Sequence, residues 1–368
     1  MHSALIEVLM FDGIERYPIK EFFHAMKTYS LVWTTLTLVP LTLSAQRSFD
    51  IALIGDMPYG VAAEPMYERV IADINNHGVG LTAHIGDTKS GSTRCDDSHY
   101  QQALNWFNSF ENAVLYSVGD NEWTDCMRTN NGAYDPLGRL DLIRKTYFST
   151  NMSLGRNPVP LKRQSDTPGF SLYRENAMLI MGKVLFVTIH IPGSNNNLEY
   201  RLTQGNPNPF YDGDKEYTAR NAANLAWLKS VFATAKEQDL YGVMILTQAN
   251  MFEAFGDNST GASKSGFADF IKALREEVRA FPGQVVMVSG DTHYMRVDKP
   301  LTLTYPDSCP PPATSTGSCP AVESTGRILH FTRVEVPGSS DVHWVRCRVR
   351  SNRKNVFQFQ FMIVPDNQ

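Results

Sequence analysis

Apolar runs that stop at polar residues recur along this chain and predict alternating strands and helices. Four runs rich in β-branched and other apolar residues each end in a Gly-Asp pair, namely Ile51–Asp56, Leu81–Asp87, Val114–Asp120 and Val285–Asp291. Val184–Ile191 and Val243–Leu246 have the same character and predict two further strands. Strands that alternate with helical segments indicate an α/β fold.

The segments between these strands place apolar residues at helical spacing. Glu64–Asn76 carries its apolar residues on one face and ends near Gly78, as a helix with a glycine cap does. The same spacing predicts further helices beginning at Ser98 and spanning Leu140–Tyr147, Tyr217–Ala235 and Phe267–Phe281. The polar stretches Asn130–Pro168 and Gly193–Gly213 are predicted to be loops that select a substrate.

The C-terminal part of the chain has a different pattern. Ile328–Val336, Val342–Val349 and Val356–Val364 are β-rich runs separated by turn residues. They predict antiparallel strands. We find no internal repeat and no linker that would divide the chain into two independent domains.

The four Gly-Asp endings are the candidate functional feature. Ligands of open α/β sheets bind beyond the carboxyl ends of the strands, so the four aspartates are predicted to converge in one crevice. Carboxylates gathered in one crevice repel one another unless a cation lies among them. The alternative is that Gly-Asp serves only as turn chemistry. A repeat after four strands favours a cation site.

Composition and charge exclude several classes of function. The chain has 368 residues, 42% of them hydrophobic and 20% charged, with a formal net charge of -4. These values are typical of a soluble globular protein and give no basic field for nucleic acid. The sequence also lacks a Gly-x-Ser-x-Gly elbow, a phosphate-binding Gly-x-x-x-x-Gly-Lys loop and a dinucleotide-binding Gly-x-Gly-x-x-Gly pattern.

The N-terminal residues predict export. Met26-Lys27 precedes the uncharged run Thr28–Leu43, and Leu43-Ser44-Ala45 is a small-residue cleavage site. We therefore interpret residues 1–45 as an extension plus a signal peptide, with translation starting at Met26, and place the mature protein outside the cell or in the periplasm. The alternative is an uncleaved signal anchor.

Export makes the five cysteines interpretable, because an oxidising compartment permits disulfides. Cys95 and Cys126 both follow Gly-Asp loops and are predicted to form a disulfide. Cys309 and Cys319 lie in a Pro/Ser/Thr-rich excursion at residues 306–326 and are predicted to form a second one. Cys347 is left as an apolar member of a late strand.

The order of the strand-end motifs resembles the calcineurin-like metallophosphoesterases. The motifs are Gly55-Asp56-Met57-Pro58-Tyr59, Gly86-Asp87-Thr88-Lys89, Gly119-Asp120-Asn121-Glu122 and Gly290-Asp291-Thr292-His293. The resemblance implies a single metallophosphoesterase domain over residues 46–368, folded as a four-layer αββα sandwich of two mixed β-sheets. It also implies a two-metal site at the strand ends that hydrolyses phosphate monoesters or diesters.

Several family residues are replaced in this chain. Pro58 stands where the first motif has its histidine, and Asp120 and Asn121 replace the asparagine and the catalytic histidine of the third motif. Asp291 replaces the first histidine of the fifth motif, while His293 is retained. For the histidine of the fourth motif the chain offers Gln248 or Asn250.

The resemblance implies a role for each remaining candidate. The implied metal ligands are Asp56, Asp87 as the bridge, Asp120, Asn250, His190, Asp291 and His293. The implied catalytic residues are Asp87, Asp120, Asn121, Glu122 and His293, and the implied substrate contacts are Lys89, Tyr59 and Asn121. The alternatives are a buried structural His190, a packed Tyr59 and a solvated surface Lys89, whereas His84 is interpreted as a core residue.

These residues predict the cofactor, the activity and the partner. The ligands are mostly oxygen atoms, which favour two manganese or magnesium ions over zinc or iron. The predicted function is an exported, metal-dependent phosphoester hydrolase with a phosphorylated small molecule as its substrate. The alternatives are a catalytically degenerate domain that binds such a ligand without turnover, and a structural module of the cell envelope.

Overall fold

The computed structural model describes residues 48–200, 212–252, 265–303 and 326–367. Within these residues the helices are α1 (Glu64–Asn76), α2 (Asp97–Phe107), α3 (Pro136–Tyr147), α4 (Gly213–Glu237) and α5 (Ala268–Ala280). None of the described helices combines the length and the apolar character needed to cross a membrane.

The strands follow in chain order and bury most of their side chains. They are β1 (Ser48–Ile54), β2 (Leu81–His84), β3 (Ala113–Tyr116), β4 (Lys162–Arg163), β5 (Ala177–Met181), β6 (Val184–Thr188), β7 (Gly242–Leu246), β8 (Gln284–Ser289), β9 (Arg296–Asp298), β10 (Phe331–Glu335), β11 (Trp344–Arg350) and β12 (Phe357–Met362). They form a five-stranded sheet, β12-β11-β1-β2-β3, and a seven-stranded sheet, β4-β5-β6-β7-β8-β10-β9.

Both sheets are mixed, as the sequence predicts. In the first sheet β1, β2 and β3 are parallel, whereas β11 is antiparallel to β1. In the second sheet β6, β7, β8 and β10 are parallel, and β5 and β9 run antiparallel to their neighbours. The carboxyl ends of the parallel strands therefore meet at one edge of each sheet.

The side chains of β1 and β7 show how the layers are arranged. Ala52 and Ile54 of β1 pack into a core with α1, α2 and α3, whereas Ile51 and Leu53 pack into a core shared by both sheets. Alternate residues of β7 likewise face a core with α4 and α5 or the shared core between the sheets. Because side chains alternate along a strand, each sheet is covered on both faces. This is the predicted four-layer αββα sandwich.

The prediction for the C-terminal strands is partly wrong. β11 and β12 are antiparallel, as expected, but β10 lies in the other sheet and is parallel to β8, with Phe331 opposite Val285. The run predicted at Ile328–Val336 does form a strand, so its apolar pattern is interpreted correctly. The pattern carries no information on the partner strand, because burial on both faces is the same in either sheet.

Candidate metal centre

Three carboxylates from both sheets lie together at the strand ends. Oxygen atoms of Asp87, Asp120 and Asp291 all lie within 4.8 Å of one another. Asp87 and Asp120 follow β2 and β3 of the first sheet, whereas Asp291 follows β8 of the second. Asp56 adjoins this group, because the Asp291 backbone N–H donates to its Oδ1 at 3.0 Å. The four predicted Gly-Asp endings therefore converge.

The backbone at these endings explains why glycine accompanies aspartate. Asp56, Asp87 and Asp291 have φ values of 53°, 56° and 75°, in the left-handed region that turns the chain sharply. A Cβ atom at Gly119 would lie 2.0 Å from Asp87 Oδ1, which no side chain tolerates. Glycine at position 119 therefore permits the carboxylate of Asp87 to approach the backbone that leads to Asp120.

An amide nitrogen lies between the three carboxylates. Gln248 Nε2 is 3.1 Å from Asp87 Oδ2, 3.1 Å from Asp120 Oδ1 and 3.2 Å from Asp291 Oδ1. The Gly193 backbone N–H donates to Oε1 of the same side chain. The sequence presents Gln248 only as a replacement for a ligand, and its contact with all three carboxylates cannot be predicted from the order of residues.

Asp87 is held from a second side by Tyr59 and Asn121. The Tyr59 hydroxyl donates to Asp87 Oδ2 at 3.1 Å, and Asn121 Nδ2 donates to the same oxygen at 2.9 Å. The Asn121 backbone N–H donates to Oδ1 at 3.2 Å, and its side chain also reaches the Tyr59 hydroxyl at 3.0 Å. Both oxygens of Asp87 are therefore fixed in orientation.

His293 and Glu122 adjoin this group and differ in their exposure. His293 Nε2 is 3.4 Å from Asp56 Oδ1, its ring contacts that of Tyr59, and its side chain is 31% exposed. Burial alone would lower the pKa of His293, but the adjacent Asp56 carboxylate raises it. Glu122 is fully buried and accepts from the Thr88 hydroxyl at 3.0 Å. His293 is thus the more accessible of the two residues.

The electrostatics of the group are unfavourable without a cation. Burial raises the pKa of Asp87, and the charges of Asp120, Glu122, Asp56 and Asp291 raise it further. Burial likewise raises the pKa of Asp56 and of Glu122. Asp56 Oδ2 and Glu122 Oε2 are buried without a hydrogen-bond partner in the described part of the chain. Such a set of oxygen donors fits a divalent cation that prefers oxygen ligands.

A second group of polar residues contacts Asp120 through its Oδ2 atom. The Ser194 hydroxyl donates to Asp120 Oδ2 at 2.6 Å and lies 3.3 Å from Asp125 Oδ1. Asp125 also accepts from the Tyr200 hydroxyl and pairs with Arg128 at 2.7 Å. Burial, followed by the charge of Asp120, raises the pKa of Asp125 to about 7. The only sequence signal for these residues is the asparagine-rich stretch after Gly193.

Lys89 is not a surface lysine. Only 1% of its area is exposed, and Nζ donates to the Ser90 backbone carbonyl at 3.1 Å. Burial lowers the pKa of Lys89, whereas the nearby carboxylates, first Glu122 and then Asp125, oppose that change. The solvated alternative is therefore wrong, and Lys89 contributes positive charge from within the acidic region.

Asn250 and His190 do not belong to the carboxylate group in the described residues. The Oδ1 atom of Asn250 accepts from Arg333 at 2.8 Å, and its Nδ2 donates to Thr292 and to Glu335. His190 is buried, and its Nδ1 lies 3.0 Å from Glu175 Oε1, which also pairs with Arg144. Both predicted ligands thus take part in other polar networks.

The predicted disulfide between Cys95 and Cys126 is present. The two residues are 31 positions apart in sequence, with Cα atoms 5.7 Å apart, and both are fully buried. Each sulfur lies 3.7 Å from the backbone carbonyl of Asn121, so the bond holds the loop that follows Asp120. The predicted partners Cys309 and Cys319 lie outside the described residues. Cys347 is a buried free thiol in β11.

The comparisons with known proteins find similar structures but no similar sequence. No protein-family model matches the sequence, and a search of curated proteins finds no match. One similar solved structure is GAP50, the anchor in the inner membrane complex of Plasmodium, with a TM-score of 0.47 and 12% identity over 88% of this chain and 87% of that one. A dimetal phosphatase from Danio rerio has a TM-score of 0.47 and 9% identity over 86% and 99%.

A purple acid phosphatase from yellow lupin seeds has a TM-score of 0.43 and 13% identity, over 87% of this chain and 52% of that one. The order of the two sheets, the helices on their outer faces and the convergence of the strand-end motifs are properties of this chain itself. On these properties, the chain has the calcineurin-like phosphoesterase fold.

Proposed function

We propose that this protein is a metal-dependent hydrolase of phosphate esters. The observation that supports it best is the convergence of Asp87, Asp120 and Asp291 from two different sheets, next to a buried oxygen of Asp56 that has no partner among the described residues. Buried carboxylates in contact require a compensating charge, and divalent cations with oxygen ligands provide it.

Asp87 is the central residue of the proposed site. Tyr59 and Asn121 fix its Oδ2 atom, and the Asn121 backbone N–H fixes its Oδ1 atom, so the carboxylate is oriented before any ligand binds. A divalent ion held there supplies Lewis-acid chemistry for a phosphoryl group and a water molecule. His293 lies at the exposed side of the group, where it can reach a bound phosphate ester.

Asn121 limits which esters react well. Its amide donates to Asp87 and to the Tyr59 hydroxyl, and an amide has no proton to transfer at neutral pH. Without a general acid at this position, a poor leaving group departs slowly. We therefore propose that aryl phosphates are better substrates than alkyl phosphates.

The ligand types favour manganese or magnesium over zinc. Asp56, Asp87, Asp120 and Asp291 offer carboxylate oxygens, whereas His293 offers the one imidazole that contacts this group among the described residues. Carboxylate-rich sites suit manganese and magnesium, and imidazole-rich sites suit zinc. Two ions are proposed because the strand-end motifs resemble those of two-metal phosphoesterases.

One observation favours a second candidate function. Gln248 Nε2 lies among the three carboxylates, at the position that a cation would take. A site whose carboxylates already share a hydrogen-bond donor suits a domain that binds a phosphorylated ligand without hydrolysing it. The choice between the two functions depends on whether the purified protein binds a divalent ion.

A panel of phosphomonoesters and diesters, assayed with manganese, magnesium, calcium and zinc, tests the proposal. The residues 46–368 are produced with the disulfide intact, and the melting temperature is measured with each ion. We expect manganese to raise the melting temperature and to activate hydrolysis of an aryl phosphate. A stable protein that neither binds an ion nor turns over any ester refutes the hydrolase proposal.

Export from the cytoplasm is part of the same proposal. The Cys95–Cys126 disulfide is compatible with it, since structural disulfides are rare in reducing compartments. We expect secreted or periplasmic material to begin at Gln46. Sequencing of its first residues tests this, and an intact Met26 on exported protein contradicts the proposed cleavage.

A further inference from the structure

The amide of Gln248 has fewer protons than it has carboxylate neighbours. Gln248 is completely buried, and its Nε2 atom lies 3.1 to 3.2 Å from oxygens of Asp87, Asp120 and Asp291. A side-chain amide carries two N–H donors, so three carboxylates share two protons. The amide is also neutral, and it therefore offsets the negative charge of the group only in part.

The orientation of this amide is fixed by the backbone. The Gly193 N–H donates to Gln248 Oε1, and a backbone N–H has no acceptor capacity. Rotation of the amide by 180° would place Nε2 against that N–H and Oε1 against the three carboxylates. Both changes are unfavourable, so the nitrogen faces the carboxylates.

Gly193 is itself held in place by the turn that follows it. Residues 194 to 197 all have φ values between 52° and 67°, an uninterrupted run in the left-handed region. Side-chain contacts hold this run, because Arg220 donates to Asn196 Oδ1 and the Gly266 N–H donates to Asn195 Oδ1 at 2.8 Å. Left-handed residues other than glycine persist only where the surroundings over-determine them. The turn thus presents a rigid donor to Gln248.

Gly193 also leaves no space for a larger residue. A Cβ atom at this position would lie 2.7 Å from Asp291 Oδ1 and 3.0 Å from Asp120 Oδ2. The Gly193 backbone therefore lies directly against Asp120 and Asp291. The Gln248 amide and the turn at Gly193 thus both lie against the aspartate group.

We propose that Gln248 is an internal competitor for the cation site, whose amide nitrogen a divalent ion must displace from Asp87, Asp120 and Asp291. This inference rests on the proposed function, and it adds that the chain itself sets the affinity for the ion. The carboxylate oxygens surround Nε2 at hydrogen-bond distances, whereas an ion such as magnesium would require oxygens at about 2.0 to 2.1 Å. Binding therefore requires the amide to leave and the carboxylates to close inward by about 1 Å.

A glutamine that acts as a metal ligand would behave in the opposite way. It would use its oxygen, and removing the side chain would weaken binding of the ion. A competitor donates through its nitrogen, and removing it strengthens binding. The sign of the change in affinity therefore separates the two roles.

Calorimetric titration of manganese into the wild-type protein and the Gln248→Met variant provides the test. Methionine keeps the length of the side chain and removes both donors. We expect the variant to bind manganese at least about tenfold more tightly, the ratio that corresponds to the loss of one hydrogen bond to a charged group. Without divalent ions we expect its melting temperature to fall, because the carboxylates lose their common donor.

Gln164→Met is the matched control. Gln164 is also buried, and its Nε2 donates to the Ala223 backbone carbonyl at 2.7 Å, away from the acidic group. We expect this variant to lose stability without a change in manganese affinity. Gln248→Ala is measured alongside, with circular dichroism to confirm the fold, in case methionine packs poorly.

The outcomes distinguish this inference from the proposed function. Tighter binding in both Gln248 variants supports the competitor role, and so does binding that appears only in the variants. Unchanged or weaker binding in variants that fold, with a wild type that binds manganese, overturns the inference and leaves the proposed function intact. No binding by the wild type or either variant overturns both.

Discussion

The carboxylate of Asp87 accepts hydrogen bonds from three side chains of the site, those of Tyr59, Asn121 and Gln248. We expect Asp87→Asn to abolish both turnover and stabilisation by manganese while the protein stays folded, because a neutral amide cannot bridge two cations. For the wild type, an ion at 100 times its dissociation constant adds about 2.7 kcal/mol to the free energy of unfolding. Urea unfolding with and without manganese measures this difference.

Asp50→Asn is the control for that substitution. Asp50 lies in β1 of the same sheet, but it pairs with Arg346 and Arg348 of β11 and takes no part in the carboxylate group. Its loss should lower stability by less than about 1 kcal/mol, as for a partly exposed ion pair, and leave the effect of manganese unchanged. A manganese effect that survives in Asp87→Asn would show that Asp87 is not a ligand.

His84 predicts part of the pH dependence of stability. The ring is fully buried against Tyr67, Phe107 and Tyr116, and neither nitrogen makes a well-formed hydrogen bond in the described residues, although the Met57 backbone is near. Burial lowers the pKa of His84 from 6.5 to about 3. The unfolded chain thus binds this proton at a higher pH than the folded protein does.

The contribution of His84 is therefore complete above pH 6.5 and is lost as the pH falls from 6.5 towards 3. Between pH 7 and pH 5 this residue alone should remove about 2 kcal/mol, at about 1.4 kcal/mol for each pH unit below 6.5. Urea unfolding of the wild type and of His84→Phe at both pH values isolates the effect as a difference. An equal loss in both proteins would contradict the assignment.

The sequence predicts some residues of the site and not others, for a physical reason. The four Gly-Asp endings could be identified because each follows a strand whose apolar period marks its end. Ser194 and Asp125 could not, because they act through partners 69 to 74 positions away and lie beyond the strand ends. Gln248 could be identified as a possible replacement for a ligand, but its contact with Asp87, 161 positions away, could not. Asn250 was predicted as a ligand from the same strand end that carries Gln248, and its side chain belongs to the Arg333 network instead.

Among the elements, the loop closed by Cys95 and Cys126 carries Asn121, one of the residues that hold Asp87. We expect a variant with serine at both positions to lose about 3 to 4 kcal/mol of stability, the value for a closed loop of this length. Affinity for manganese should fall as well, since Asn121 lies within that loop. Urea unfolding of the variant, and of the wild type with a reducing agent, should give the same midpoint.

Peptide mapping without reduction supplies the control, since free thiols at both positions of the wild type would contradict the bond. Cys347→Ser is the matched variant. This thiol is buried in β11 and unpaired, so its replacement leaves the loop closed. Any loss of stability in Cys347→Ser should therefore persist unchanged under reducing conditions.

The turn before α3 allows a test of backbone conformation. Ala133 is exposed and has a φ value of 53°, a conformation that alanine adopts at a cost and glycine without one. We expect Ala133→Gly to raise stability by up to about 1 kcal/mol, after the greater freedom of glycine in the unfolded chain is subtracted. Thermal unfolding measures the change.

Ala72→Gly is the matched control, because Ala72 is exposed in the middle of α1. There the same substitution should lower stability by about 1 kcal/mol. Opposite signs for the two variants would verify the left-handed conformation at Ala133. A loss of stability in both would show that residue 133 adopts an ordinary conformation in solution.

At the scale of the whole molecule, the sequence predicted the layers more successfully than the pairing of strands. Apolar periods identify each strand and helix, and their alternation indicates sheets covered by helices. The assignment of β10 to the second sheet depends on its contact with β8. Phe331 of β10 pairs with Val285 of β8, which lies 46 residues earlier in the chain. No local pattern contains that contact. The connection from β10 to β11 leads from one sheet to the other.

The pairing of β1 with β11 has a consequence for how the chain is made. Asp50 and Arg346 are neighbours across the two strands yet lie 296 positions apart in sequence. β1 therefore leaves the ribosome or a translocation channel long before β11 does. Until β11 emerges, one edge of β1 has no hydrogen-bond partners. Because β1 leads into Asp56, the acidic centre can be completed only after β11 has emerged. During that interval the unpaired edge of β1 is open to association with other chains, so we expect the yield of folded protein to rise with the supply of chaperones that shield such edges.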